Sequence, residues 1–219
     1  MPAADHADRR LRRKYASPMR EAAAAATQAR IYEAAARLYA ERGYLATTVA
    51  DIAREADTSV PRVSLAGSKA SLLIAAYCLR AGGDPQARTI SDANVVTRIQ
   101  SLPVDEALRS YTEWLFDFHE ATAGLRIALR EAAPGDPDVA GLLVRIGRQG
   151  FEECREAMTW ARSQGLLHGD VDLDDRAHAW MALGSPESWS HLVGAGGWDK
   201  GKYSAWLLRT FPAAVFGPA

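Results

Sequence analysis

Residues 31–69, IYEAAARLYAERGYLATTVADIAREADTSVPRVSLAGSK, constrain this chain more than any other stretch. Ile31, Ala34, Ala35, Leu38 and Tyr39 fall at i, i+3, i+4, i+7 and i+8, the apolar face of one helix, with Glu33, Arg37 and Glu41 pointing away. Gly43 ends that helix, because glycine enters the left-handed region without penalty. Thr48 and Asp51 form a hydroxyl-x-x-acid start signal, and Val49, Ile52, Ala53 and Ala56 repeat the apolar spacing. Asp57-Thr58-Ser59 interrupts the pattern. Ser59 is a good N-cap, and Pro61 suits a first helical turn, where its missing N–H is not needed. Val60 and Val63 are expected to anchor this third helix, with Pro61, Arg62 and Ser64 outward. The segment reads as a helix-turn-helix, a unit that alone is as much at home in any all-α core as on DNA.

Charge favours the second use. The net charge of the 219 residues is −1, yet residues 1–70 carry 12 Lys/Arg against 8 Asp/Glu and residues 71–219 carry 14 against 19. A positive head suits phosphate neutralisation, which supplies most sequence-independent affinity for DNA. Arg9, Arg10, Arg12, Arg13 and Lys14 precede the head in a segment poor in apolar residues. Residues 1–27 are therefore expected to be a basic, flexible arm, solvated or lying along a minor groove or the backbone. Ala22 to Ala26 can extend the first helix backwards.

The remainder is helical in pattern. Leu72, Leu73, Ala76 and Leu79 continue a fourth helix to Gly82-Gly83. Further helices are expected near residues 93–101, 104–122, 125–132, 138–164, 173–193 and 202–216, giving an all-α fold of about nine helices. Residues 28–83 are read as the helix-turn-helix domain and residues 84–219 as a larger helical domain. No apolar run approaches the roughly 18 residues of a membrane span, and the N-terminus lacks an apolar signal region. The expected location is cytoplasmic, with no membrane partner. Cys78 and Cys154 have no metal-like spacing and are expected as reduced, half-buried thiols.

The head resembles the DNA-binding domain of the tetracycline-repressor (TetR) family of transcription regulators. The resemblance rests on AARLYAERGYLATTVADIAREA, then Ser59, then Ser68-Lys69 followed by Leu72-Leu73. It implies that Thr48 and Lys69 meet phosphate, and that Ser59, Pro61, Arg62 and Ser64 on or beside the third helix meet bases and phosphates. Arg12, Arg13 and Lys14 are further DNA-binding candidates in the arm. The chain departs from the family where VSLAGSK lacks the usual tyrosine at Ser64 and a following aromatic, and is one residue short.

A weaker resemblance covers LREAAPGDPDVAGLLVRI, GLLHGDVDLDDRAHAWMAL and SPESWSHLVGAGGWDKGKYSAWLLRTF, which are similar to the effector-binding and dimerisation domain of actinobacterial-type members. It implies a small-molecule effector, apolar or aromatic, in a cavity walled by Tyr111, Trp114, Phe118, Phe151, Met158 and Trp180. It also implies a homodimer closed by the last two helices through Leu183, Trp189, Leu192, Tyr203, Trp206, Leu207 and Phe211. Asp117, His119 and Glu120 lie on or near the same helix and could offer the effector a polar contact, though each is read first as a solvated surface group.

Nothing in the sequence points to catalysis, a cofactor or a metal. No serine sits in a G-x-S-x-G elbow, and His168, His178 and His191 have no ligand spacing with one another or with cysteine. Two readings stay open. One is a homodimeric repressor released from a double-stranded DNA operator by a small molecule. The other is a module of the same fold that binds ligand or protein and reads DNA weakly or not at all, as the altered third helix suggests.

Overall fold

Local signals place most of the elements. The computed structural model describes the backbone of residues 4–86 and 93–216, with side chains from residue 19 onward except those of Ala93, Asn94 and Val96. The head consists of α1 (Ala4–Arg42), α2 (Val49–Glu55), α3 (Val60–Ala66) and α4 (Lys69–Gly82). Behind it stand α5 (Ala93–Gln100), α6 (Val104–Ala132), α7 (Pro137–Ser163) and α8 (Leu173–Leu183). The chain closes with α9 (Pro186–Trp189), continued as a π-helical turn Ser190–Ala195, and α10 (Lys200–Phe211), continued as Pro212–Phe216. Among the described residues there is no strand, so the all-α expectation holds.

The Thr48 cap and the glycine stop of α4 are as expected, three aspartate caps come in addition, and Ser59, read as an N-cap, makes no side-chain capping bond to α3. Thr48 and Asp51 form a reciprocal capping box on α2. Asp136, Asp172 and Asp199 cap α7, α8 and α10 with their carboxylates, and Gly83 ends α4 in the left-handed region. Each cap satisfies backbone groups that the helix itself leaves open.

Four local expectations change. Residues expected as a flexible arm are helical from Ala4, and α1 crosses the boundary at residue 27 without a break. Five consecutive alanines, exposed and strongly helix-favouring, carry it backwards. The side chains of Arg12, Arg13 and Lys14 lie outside the described residues. Val60 is 44% exposed and anchors nothing, while Val63 is fully buried. Helices expected at 104–122 and 125–132 are one helix, α6, and the glycine between them is a contact rather than a stop. The helix expected over 173–193 is broken at Gly184, because Ser185 caps a new helix through the Ser188 N–H at 3.1 Å and Pro186 occupies its first turn.

Two apolar clusters organise the chain. In the first, Leu38, Tyr39, Ile52, Val63 and Leu73 of the head pack with Leu125 and Leu129 of α6 and Leu142 of α7. The second gathers Leu115, Met158, Trp180, Tyr203, Leu207 and Phe211. The C-terminal half of α6 thus completes the head's core, so its position and the head's are mechanically linked.

Candidate nucleic-acid interface and adjoining cavity

The two threonines before α2 do different work. Thr47 is fully buried and donates its hydroxyl to the Gly43 carbonyl at 2.8 Å, satisfying the end of α1. Thr48 is exposed, but Asp51 takes both its N–H, at 3.0 Å, and its hydroxyl proton, at 2.6 Å. The Thr48 hydroxyl, its backbone N–H and Arg54 together hold the Asp51 carboxyl down at about 2. A phosphate at Thr48 would have to compete with a permanent carboxylate for the same donors.

Ser59 begins α3 without a side-chain capping bond, so its exposed hydroxyl is unspent. Pro61, Arg62 and Ser64 are all exposed, as expected. The turn before them is held by Asp57 at φ 49, a left-handed conformation that aspartate tolerates better than most side chains. Lys69 sits at the start of α4, its ammonium 4.2 Å from the centre of the Tyr44 ring. Tyr44 in turn stacks on Tyr39, with ring centres 5.9 Å apart, and the Tyr39 hydroxyl donates to the Lys69 carbonyl at 2.8 Å. Partial burial lowers the Lys69 pKa, against the pull of Glu131.

Four other basic groups of the head are committed internally. Arg37 pairs with Glu55, Arg54 with Asp51 and Arg80 with Glu33, and Arg30 donates to the Ala56 carbonyl at 3.2 Å. Arg62 and Lys69 form no ion pair among the described residues. They are the cations this face has to offer an anion.

Behind the head, α6, α7 and α8 enclose a cavity of about 590 Å³, within the range of small-molecule sites. Tyr111, Trp114, Phe118 and Trp180 line it. Tyr111 and Trp180 lie with ring centres 5.1 Å apart, and the Trp180 indole N–H donates to the Tyr111 hydroxyl at 2.9 Å. Trp160 donates to the Gln100 carbonyl at 3.1 Å, pinning α5 over one side. Phe151 and Met158 do not line the cavity. On α7 the lining stripe runs through Ile146, Gly150, Cys154 and Ala157, so each of the two is turned one residue away. Met158 is fully buried in the second cluster, and Phe151 packs on His178 with ring centres 4.5 Å apart. Burial pushes the Cys154 thiol up to about 12, which leaves it unreactive at neutral pH.

The cavity also contains His119, named from the sequence only as a lesser polar candidate, and Arg126, which the sequence did not single out. His119, read as a surface group, is 3% exposed, and its Nε2 stands 2.8 Å from the Gly184 carbonyl oxygen. Burial, reinforced by Arg126 and opposed by that carbonyl, holds its pKa down at about 4, so the ring is neutral at pH 7. With Nε2–H donating to Gly184, Nδ1 is left as a bare acceptor. It and Arg126 Nε are buried without a hydrogen-bond partner. His119 and Arg126 are seven residues apart, two turns on one stripe of α6, which is the signal that could have found them. Asp117 instead reaches Lys200 at 2.7 Å, and Glu120 is exposed.

The residues proposed for subunit pairing divide. Tyr203, Leu207 and Phe211 are buried in their own protomer's core, within the second cluster. Their apolar spacing on α10 has an intramolecular cause, and they are withdrawn as interface candidates. Leu183, Trp189, Leu192 and Trp206 are half-buried in the single chain.

Residues 31–76 match the sequence model of the bacterial regulatory proteins of the tetR family. No match is found among curated proteins. Several solved structures share the fold. The fatty acid degradation regulator FadR from Bacillus halodurans superimposes with a TM-score of 0.68 at 16% identity, over 88% of this chain and 97% of that one. The TetR family transcriptional regulator PfmR from Thermus thermophilus gives 0.58 at 20% identity, over 87% and 96%.

Proposed function

We propose that this chain, whose residues 31–76 match the tetR-family model and whose fold is shared by solved transcription regulators, is a homodimeric, DNA-binding transcription repressor released from its operator by a small molecule. One observation carries the reading: α4 belongs to both sites. It starts with Lys69 at the head's outer face and carries Tyr77, 1% exposed, in the cavity wall. They are eight positions apart on the helix, about 12 Å at 1.5 Å per residue. A ligand that displaces Tyr77 displaces the start of the same rigid rod.

The thermodynamic requirement is differential affinity. The effector must bind better to a conformer whose two recognition helices no longer fit major grooves one turn, about 34–36 Å, or a multiple apart. The apolar, aromatic lining suits an apolar or aromatic effector, and the shared fold with a fatty acid degradation regulator is compatible with an aliphatic one. Subunit pairing would use the outer faces of α8, α9 and α10, through Leu183, Trp189, Leu192 and Trp206. Arg12, Arg13 and Lys14 would add contacts to the DNA backbone, alongside Ser59, Arg62, Ser64 and Lys69.

A gel-shift against the DNA flanking its own gene tests the reading. Retention of that DNA over a random duplex at physiological salt is the expected result. Equal, weak retention of both would favour the second reading, a ligand- or protein-binding module, which the capture of Thr48 by Asp51 supports.

A further inference from the structure

The ridge of α3 that points straight out of the head bears no hydrogen-bonding group. A helix turns about 100° per residue, so the residues two before and two after the buried Val63 face nearly opposite to it. These are Pro61 and Leu65. Leu65 is 81% exposed, more than any other large apolar residue described. Arg62 and Ser64 fall on the two flanks. Leu65 follows Ser64 directly, yet nothing in the head's own core explains a leucine there.

An apolar ridge can read only one feature of a major groove. Every other edge presented there is a hydrogen-bond donor or acceptor, whereas thymine also offers its C5-methyl group. Around the ridge stand Arg62 and Lys69, which form no ion pair among the described residues, and the unspent hydroxyls of Ser59 and Ser64. That is a positive, hydroxyl-bearing rim about an apolar centre, complementary to phosphate walls about a methyl-bearing floor. An apolar docking site for another protein would not call for cations outside any ion pair on its rim.

We propose that this head selects its site through thymine methyl groups, with Leu65 as the specificity-determining contact and Pro61 beside it on the ridge. The proposal rests on the reading of the chain as a DNA-binding regulator. It explains why α3 works without the tyrosine usual at Ser64: discrimination comes from desolvating methyls, while Arg62, Lys69 and the hydroxyls hold the backbone.

The test uses the full-length protein and a random duplex library. The duplex it enriches is remade with deoxyuridine for thymidine at one position at a time, which removes a methyl and leaves every base-pairing edge unchanged. One or two positions should weaken binding about four-fold, the burial of a single methyl at ~0.8 kcal/mol, with no effect elsewhere. Leu65→Ala should bind the thymidine and deoxyuridine duplexes equally, and keep the wild-type melting temperature because the side chain is exposed. Tolerance of deoxyuridine at every position, or a penalty that survives Leu65→Ala, overturns the proposal while the DNA-binding reading stands. Failure to enrich any duplex overturns both. Enrichment that Leu65→Ala leaves untouched would assign the ridge to a protein partner instead, and also overturns it.

Discussion

Helix α6 crosses α1 at Gly124 and Ala40 so closely that a β-carbon on Gly124 would stand 2.5 Å from the Ala40 carbonyl oxygen. A few residues on, the Glu131 carboxylate accepts the Tyr44 N–H at 2.8 Å and the Leu45 N–H at 3.3 Å, clamping the loop that leads into α2. The helix that walls the cavity is thereby seated on the helix that carries the head. Coupling between the sites has two rods, α4 and α6, rather than one.

Gly124→Ala sets two effects against each other. Replacing a mid-helix glycine gains about 1 kcal/mol of helix propensity. Forcing a methyl into a backbone contact of this closeness costs about 1–3 kcal/mol, and the atoms that would have to give are main chain. The clash wins. The melting temperature should fall, and a rise would show that α1 and α6 can separate freely.

Gly150 behaves in the opposite way. It lines the cavity, and a β-carbon there would meet nothing within 4 Å. Gly150→Leu should occupy part of the 590 Å³ with its own side chain, stabilise α7 and exclude an apolar ligand. Displacement of an environment-sensitive apolar dye from the wild-type cavity, absent in the variant, checks this. DNA retention without effector should be unaffected, because the side chain grows into open space and leaves Tyr77 in place, and the effector should no longer release the DNA.

His119 makes stability depend on pH in a defined window. Its folded pKa is about 4, against 6.5 for a free histidine. Between those values the unfolded chain holds a proton that the folded one refuses. The contribution is therefore complete above about pH 6.5 and is lost as pH falls towards 4. Denaturant midpoints should drop between pH 7 and pH 5, and His119→Asn should flatten that part of the profile. An unchanged slope in the variant would assign the dependence to another group.

Subunit pairing needs a probe chosen from the structure. Leu207 is fully buried in its own protomer, so Leu207→Glu places an unpaired charge in the core and should unfold the chain, as buried unpaired charges cost several kcal/mol. Trp206 is half-buried, one residue around α10. Trp206→Glu should leave the helical circular dichroism intact and move the mass by light scattering from a dimer towards 23.7 kDa. A wild-type mass already at that value would sink the dimer.

Several features whose cause lies within a turn or two were legible in the sequence, although the equally local break made by Ser185 and Pro186 was not. The capping box of Thr48 and Asp51, the stop at Gly83 and the start of α4 at Ser68-Lys69 all depend on neighbours that the sequence prints side by side. So did the exposure of Pro61, Arg62 and Ser64, once Val63 was known to be apolar at the right spacing.

What the sequence determined by itself was the all-α class, most of the helix boundaries and the family of the head, because backbone hydrogen bonding and amphipathic spacing are local. The rest depended on which helix lies against which. Gly124 reads locally as a place for a helix to stop, and only the approach of α1 makes it a crossing point inside one. Phe151 and Met158 carry the right chemistry for a cavity wall, but a 100° turn on α7 sends them elsewhere. Leu207 and Phe211 form an apolar stripe whichever way they face, and the sequence cannot say whether it meets another subunit or its own core. His119 looks like any surface histidine until α8 ends at Gly184 and offers it a carbonyl. Burial is a property of neighbours distant in the chain, so the tertiary structure alone decided it.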